Sequence, residues 1–162
     1  MGFIKFITQD FDNNKNNTKG KIAVFCFRIA NYCKGKKATK IILLPYLFFY
    51  KFFFEWLIGM EIPYNVSIGP GLKILHLQAI VINRNAIVGA NCQLRQCVTI
   101  GNKGDGGPSP VIGDNVNIGA QVCIIGDIII GNNVNIGAGS VVVKSVTSDV
   151  TIVGNPARIL GI

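Results

Sequence analysis

VIGDNVNIGAQVCIIGDIIIGNNVNIGAGSVVV, residues 111–143, is the stretch that decides the fold. Every sixth residue in it is aliphatic: Ile112, Ile118, Ile124, Ile130, Ile136 and Val142. A six-residue period fits neither the 3.6-residue repeat of a helix nor the strict alternation of a long strand. It fits a solenoid in which each hexapeptide supplies one short strand and one corner, an aliphatic side chain pointing in and Gly, Asn or Asp opening the turn. Gly113 recurs as Gly131 and Gly119 as Gly137, so three hexapeptides close one coil. Branched Ile and Val suit such a wall because they are stiff and pack well on a pleated surface.

Working toward the N-terminus, the same count reads Ile62, Ile68, Ile74, Ile80, Ala86, Cys92 and Val98. The 13 hexads predict four coils and one further side. The count from Val98 to Ile112 overshoots two hexads by two, and GNKGDGGPSP (101–110) is too rich in Gly and Pro to continue the wall. A loop ejected at 101–110 is expected, and loops on rigid scaffolds commonly shape binding sites.

The composition divides at the same place as the pattern. Of 162 residues, 16 are basic and 8 acidic, a net charge of +8. Residues 1–60 hold ten Lys or Arg against three acids, a balance of +7, whereas residues 61–162 hold six against five. All but one of the 15 aromatic residues precede Glu61, and 15 of the 19 glycines follow it. Two parts are therefore expected: a helical, basic and aromatic segment over 1–60, and the repeat over 61–162. The chain is too apolar for a disordered protein. The basic run KGKKATK (34–40) lacks a recognition motif, which argues against nucleic acid as a partner. Five cysteines without CxxC spacing, and a single histidine with no cysteine near it in sequence, predict reduced thiols in the cytoplasm and no metal site.

With IGDNVNIGA (112–120), IGNNVNIGAGSVV (130–142) and the closing VGNPARI (153–159), residues 61–160 resemble the hexapeptide-repeat acyltransferases. That resemblance implies a mainly β fold, a left-handed parallel β-helix, preceded here by the N-terminal α-helical segment. It also implies a homotrimer in which acetyl-CoA, the acyl donor, lies in a groove between coils of adjacent subunits. EIPYNVSIGPGLKILH places Glu61 fifteen positions before His76, the spacing of the acidic residue and catalytic histidine in serine acetyltransferases. The resemblance thus assigns His76 as general base and Glu61 as the group that orients it. It places Gly101, Ala120, Gly137 and Ala138 along the donor groove, with Lys144 and Arg158 toward the nucleotide phosphates. Tyr64, Gln78 and Gln96 are candidates for the acceptor pocket, and Asn83, Asn85 and Gln93 add neutral polar groups.

The acceptor side departs from the serine enzymes. Pro108-Ser109-Pro110 stands where they carry Arg-His-Pro, and Leu75 where they carry an acid. A zwitterionic amino acid needs charged partners, whereas a sugar hydroxyl is recognised by neutral hydrogen bonds and apolar contact. The pattern is similar to serine-acetyltransferase-like enzymes of surface-polysaccharide clusters, so sugar O-acetylation is the expectation. Serine acetylation is the alternative, and a non-catalytic β-helical scaffold is the third reading.

TKIILLPYLFFYKFFFEWLIGM (39–60) is long and apolar, but Pro45, Lys51 and Glu55 argue against a membrane-spanning helix. Helices buried against partner subunits or the coil end are expected. A peripheral membrane contact through Phe48, Phe49, Phe52, Phe53 and Trp56, beside the basic flank, is the other reading.

Overall fold

The computed structural model describes residues 2–161. Residues 60–159 form a parallel β-helix with three faces. The first face stacks Met60–Glu61, Ile80–Ile82, Thr99–Gly101, Cys123–Ile125 and Val141–Val142; the second stacks Ser67–Ile68, Ile87–Val88, Val111–Ile112 and Ile129–Ile130. The third runs from Lys73–Ile74 through Gln93–Leu94, Asn117–Ile118 and Asn135–Ile136 to Thr151–Gly154, where antiparallel Ala157–Ile159 closes the wall.

The pairing corrects the six-residue count. Ile62 is not in line with Ile80, because Met60 pairs with Ile80 and Glu61 with Val81, a longer step than three hexapeptides make. Each side of the coil turns two residues inward, as in Val116/Ile118, Val122/Ile124 and Val134/Ile136, all buried. Ile80, Ala86, Cys92 and Val98 are buried, yet they belong to the row that begins with Met60, Val66 and Leu72. Ile82, Val88, Leu94 and Ile100 continue the row of Ile62, Ile68 and Ile74. The first coil therefore carries an insertion of two, hidden because both rows are aliphatic.

The ejected loop is also larger than the count predicts. Ile87 pairs with Val111 and Thr99 with Cys123, which is four hexapeptides instead of three, so the loop takes up a whole extra hexapeptide rather than two residues. The later steps return to three hexapeptides, as with Val111 to Ile129 and Asn117 to Asn135. The last turn, from Asn135 to Thr151, is shorter by two and adds sides beyond Val142. The first face carries five strands, so the coil has about five turns instead of four and a side. Each inward Ile or Val contributes roughly 1.5–3 kcal/mol by leaving water.

The N-terminal segment is helical and closes the open end of the coil. Helix α1 spans Phe3–Ile7, α2 Thr18–Asn31, α3 Lys37–Ile42 and α4 Leu44–Tyr50, which runs on as a π-helical stretch, Lys51–Leu57. Pro45 sits at the start of α4, where its missing N–H costs nothing. The side chain of Asn17 caps α2 by accepting from Gly20 N at 3.0 Å. Gly20, Ala23, Val24, Phe27, Arg28 and Asn31 form the buried stripe of α2. Gly20 is required there, because a Cβ would fall on the Ile74 carbonyl oxygen.

A solenoid's first turn exposes unpaired backbone groups that must be satisfied. Here side chains of the helices do so. Buried Arg28 donates to the carbonyls of Ile68 and Gly69, at 2.8 and 2.6 Å, and pairs with buried Asp10 at 2.7 Å. Asp10 in turn accepts from the amides of Gly71 and Leu72. Asn31 donates to the Tyr64 and Val66 carbonyls, Asn14 to Leu72 and Asn17 to Ile74. The expected burial against the coil end is met by α2 and the residues before it, whereas within 39–57 only Tyr50 and Phe54 are buried and the rest of that segment is largely exposed.

Candidate active site

The two residues inserted into the first coil are His76 and Leu77. At the corner joining the third face to the first, Cys97 N donates to Gln78 O, Gln121 N to Gln96 O and Gly139 N to Ala120 O. Gln78, Gln96, Ala120 and Ala138 are thus equivalent positions, one per coil. Leu75 N donates to Leu94 O, which aligns Leu75 with Arg95. Between Leu75 and Gln78 only His76 and Leu77 have no counterpart. The corner after Ile74 must accommodate them by bulging, and His76 is exposed on that bulge.

Ala79, Cys97, Gln121 and Gly139 hold the corner together, with φ of 54°, 58°, 59° and 72°. Such positive angles are unusual outside glycine, and their recurrence makes this edge of the coil a regular row of turns. The row runs from His76 and Gln78 through Gln96 to the small side chains of Ala120 and Ala138. The Gln96 Oε1 atom is buried without a partner, an acceptor left free beside the histidine corner. Gly137 opens the last of these corners, packed against Val153. Among the cysteines, Cys97 alone is exposed; burial pushes the Cys92 thiol up to about 11.

The structure therefore gathers His76, Gln78, Gln96, Ala120, Gly137 and Ala138 along one edge. Glu61 lies on the adjoining first face, exposed, in the strand that pairs with Ile80–Ile82. Among the described residues no hydrogen bond or ion pair joins Glu61 to His76. Burial, with the Glu61 charge as a lesser cause, raises the Glu55 carboxyl above its usual range against the opposing effect of Lys51.

The other candidates occupy different places in the single chain. Gly101 ends a first-face strand at the root of the ejected loop, and the space a Cβ would take there is nearly open. Lys144 and Arg158 line a common concavity of about 390 Å³ at the last turn, with Val146 and Pro156. Tyr64 lies at the corner between the first and second faces, beside Lys40 and Arg84. Asn83 is also at that corner and braces the loop by donating to Asn102 Oδ1 at 3.0 Å. Asn85 follows it, and Gln93 belongs to a side-chain ladder with Asn117 on the third face. Asn83 and Asn85 thus stand at a different corner from His76, while Gln93 lies on the third-face strand that pairs with Lys73–Ile74.

A groove of about 440 Å³ begins at Leu77 and Gln78 and passes between α2 and the π-helical stretch, lined by Lys19, Ile22, Phe53 and Leu57. Sequence reading missed this apolar wall, because only the docking of the helices brings it to the histidine corner. Among the described residues, no cluster of three His, Cys, Asp or Glu side chains is placed to hold a metal ion.

Comparison with known proteins matches this architecture. Residues 109–144 fit the family model described as bacterial transferase hexapeptide (six repeats). The putative colanic acid biosynthesis acetyltransferase WcaB of Escherichia coli is 37% identical over 156 residues, covering 93% of this chain and 96% of the relative. The mitochondrial serine acetyltransferase 3 of Arabidopsis thaliana is 51% identical over 99 residues, which is 60% of this chain but 25% of that enzyme. The soybean serine acetyltransferase apoenzyme superposes with a TM-score of 0.81 at 28% identity, covering 98% of this chain and 69% of that one.

Proposed function

As the chain belongs to the hexapeptide-repeat acetyltransferases, we propose that it transfers the acetyl group of acetyl-CoA to a sugar hydroxyl of a surface polysaccharide or its precursor. The observation that carries this reading is the placement of His76 on the inserted bulge, at the head of a row that ends in small side chains. An alkyl hydroxyl is a poor nucleophile at neutral pH and must lose its proton as it attacks. Neutral His76 takes that proton while the oxygen adds to the thioester carbonyl. When the C–S bond breaks, the imidazolium returns the proton to the departing CoA thiolate, and no acyl-enzyme is formed. Glu61, turning its exposed side chain toward His76 when substrate binds, fixes the imidazole tautomer and stabilises the charge that develops on it.

Ala120, Gly137 and Ala138 leave room for the pantetheine arm to run close to the backbone, and Gly101 does the same at its own corner. Gly101 and the Ala120 row lie on different corners of one chain. A homotrimer, with the loop side of one coil against the histidine edge of its neighbour, brings them to one groove. Lys144 and Arg158 meet the nucleotide phosphates there.

The sugar reading over serine is supported by the match to the colanic acid relative along nearly its whole length. It is also supported by the loop, where Pro108-Ser109-Pro110 offers no cation for a carboxylate. Gln78, Gln96 and the apolar groove beside them provide neutral hydrogen bonds and a face for a sugar ring, with Tyr64 contributed across the subunit boundary. A cytoplasmic location is part of the same proposal, and the exposed aromatic residues of 39–60 favour association with the inner face of the membrane.

The test is an acetyl-transfer assay comparing serine with nucleotide-linked and lipid-linked sugars. Sugar acetylation with little serine acetylation is expected, and the reverse preference overturns the acceptor. His76→Ala is expected to lower turnover by roughly 10²–10⁴-fold. Glu61→Gln costs less, and full activity in the histidine variant overturns the mechanism.

A further inference from the structure

Helix α4 and its π-helical continuation are apolar apart from Lys51 and Glu55, yet only one side is covered. Tyr50 and Phe54 are buried against the coil, and Tyr50 Oη donates to the Ile62 carbonyl at 2.9 Å. On the opposite side Leu44, Phe48, Phe52 and Trp56 follow one another at intervals of four and are 56%, 74%, 44% and 73% exposed. Their rings form a ladder, with centroids 6.5 Å apart for Phe48–Phe52 and 6.0 Å for Phe52–Trp56. Ile41 and Ile42 of α3 extend it and are 69% and 77% exposed. A contiguous exposed apolar stripe of this kind normally marks a contact surface.

The charges beside the ladder say what that partner is. A groove of about 560 Å³ adjoins Leu44 and Phe48, and its charged residues are Lys40, Lys51 and Arg84 against a single carboxylate, Glu55. Lys36 and Lys37 stand exposed at the start of α3. A two-fold contact with a second copy through this face would bring the same cations together, so charge opposes it, and the proposed trimer uses the loop side and the histidine edge instead. A surface that is apolar within and anionic at its rim satisfies both features. No described helix is long and apolar enough to cross a membrane, so the contact is with one leaflet.

We infer that the Leu44–Phe48–Phe52–Trp56 ladder inserts into the acyl region of an anionic bilayer while Lys40, Lys51 and Arg84 hold lipid phosphates in the adjoining groove. The inference gives the proposed membrane location a specific surface. It rests on that location and not on the identity of the acceptor.

Trp56 is the sole tryptophan of the chain, so its emission reports the ladder directly. Full-length protein is mixed with vesicles of phosphatidylcholine alone, or with 30% phosphatidylglycerol on the order of cellular anionic content. A blue shift and protection from iodide with the anionic vesicles, reversed by high salt, is expected. Phe48→Ser with Phe52→Ser should abolish the shift, and Lys40→Glu with Arg84→Glu should weaken it at least tenfold in lipid concentration. No shift, an equal shift with neutral vesicles, or a shift that follows protein concentration without lipid overturns the inference, the last pointing to a second copy. Transfer to a soluble sugar is read separately, so loss of lipid binding and loss of activity are distinguishable.

Discussion

The coil and the helical cap are held together by opposite strategies. In the coil, each side chain meets its own equivalent one turn above and below, so Ile118 pairs in register with Ile136 and Asn117 with Asn135. Stability is a sum of many similar increments, and no charge is needed inside. In the cap, each contact is unique: one Asp10–Arg28 pair, one Gly20, and a set of asparagines that each finish a different backbone group. Repetition tolerates a variant that alters length between equivalent positions, whereas the cap depends on particular atoms.

The largest effect is expected when a charge enters the stack. Ile118→Asp or Ile130→Asp places an unpaired carboxylate at a fully buried position and is expected to abolish the cooperative melt of the whole coil. An unchanged melt in circular dichroism would refute the register. In the cap, Arg28→Met leaves Asp10 buried and unpaired, a loss of about 3–5 kcal/mol. Hydrogen exchange should then show α1 and α2 opening while amides of the third and fourth coils keep their protection. Simultaneous loss in both regions would mean that cap and coil are one cooperative unit.

Removing His76 and Leu77 together separates the two strategies in another way. The first coil then shortens to the three-hexapeptide step that the later coils use. Folding should survive with a melt close to that of the parent, while acetyl transfer is lost. A collapse of the fold on this deletion would show that the bulge is structural. The smallest effect concerns Glu55. Burial raises its carboxyl in the folded protein, so the folded state holds the proton more tightly than the unfolded chain. Stability of the cap is therefore expected to fall slightly as pH rises through the ordinary carboxylate range and the raised value above it. Glu55→Gln should flatten that dependence in urea melts recorded from pH 4 to about 7.

The candidate site is named from rare residues and from a family resemblance. A chain with one histidine and an acid fifteen positions before it presents few candidates, and the family resemblance assigned both roles. Ala120 and Ala138 are assigned to the donor groove by the resemblance, and the coil places them at equivalent corners. Nearness in sequence does not reveal the corner to which a residue turns, so the bracing of the loop by Asn83 through Asn102 was not legible. The groove beside Gln78 was not legible, since Ile22 and Phe53 are remote from Leu77 in the chain and meet it only after α2 and α4 dock.

That residues 61–162 coil, where they eject a loop, and that charge and aromatics belong to a separate first part all follow from the order of the amino acids. A six-residue aliphatic period has no other economical geometry. The register through the first coil does not follow from it, because two residues per side turn inward and an insertion of two moves the count from one aliphatic row to the other. Backbone pairing decides between those rows. It thereby marks His76 and Leu77 as the residues the repeat does not need, His76 exposed at the corner and Leu77 packed back against the core.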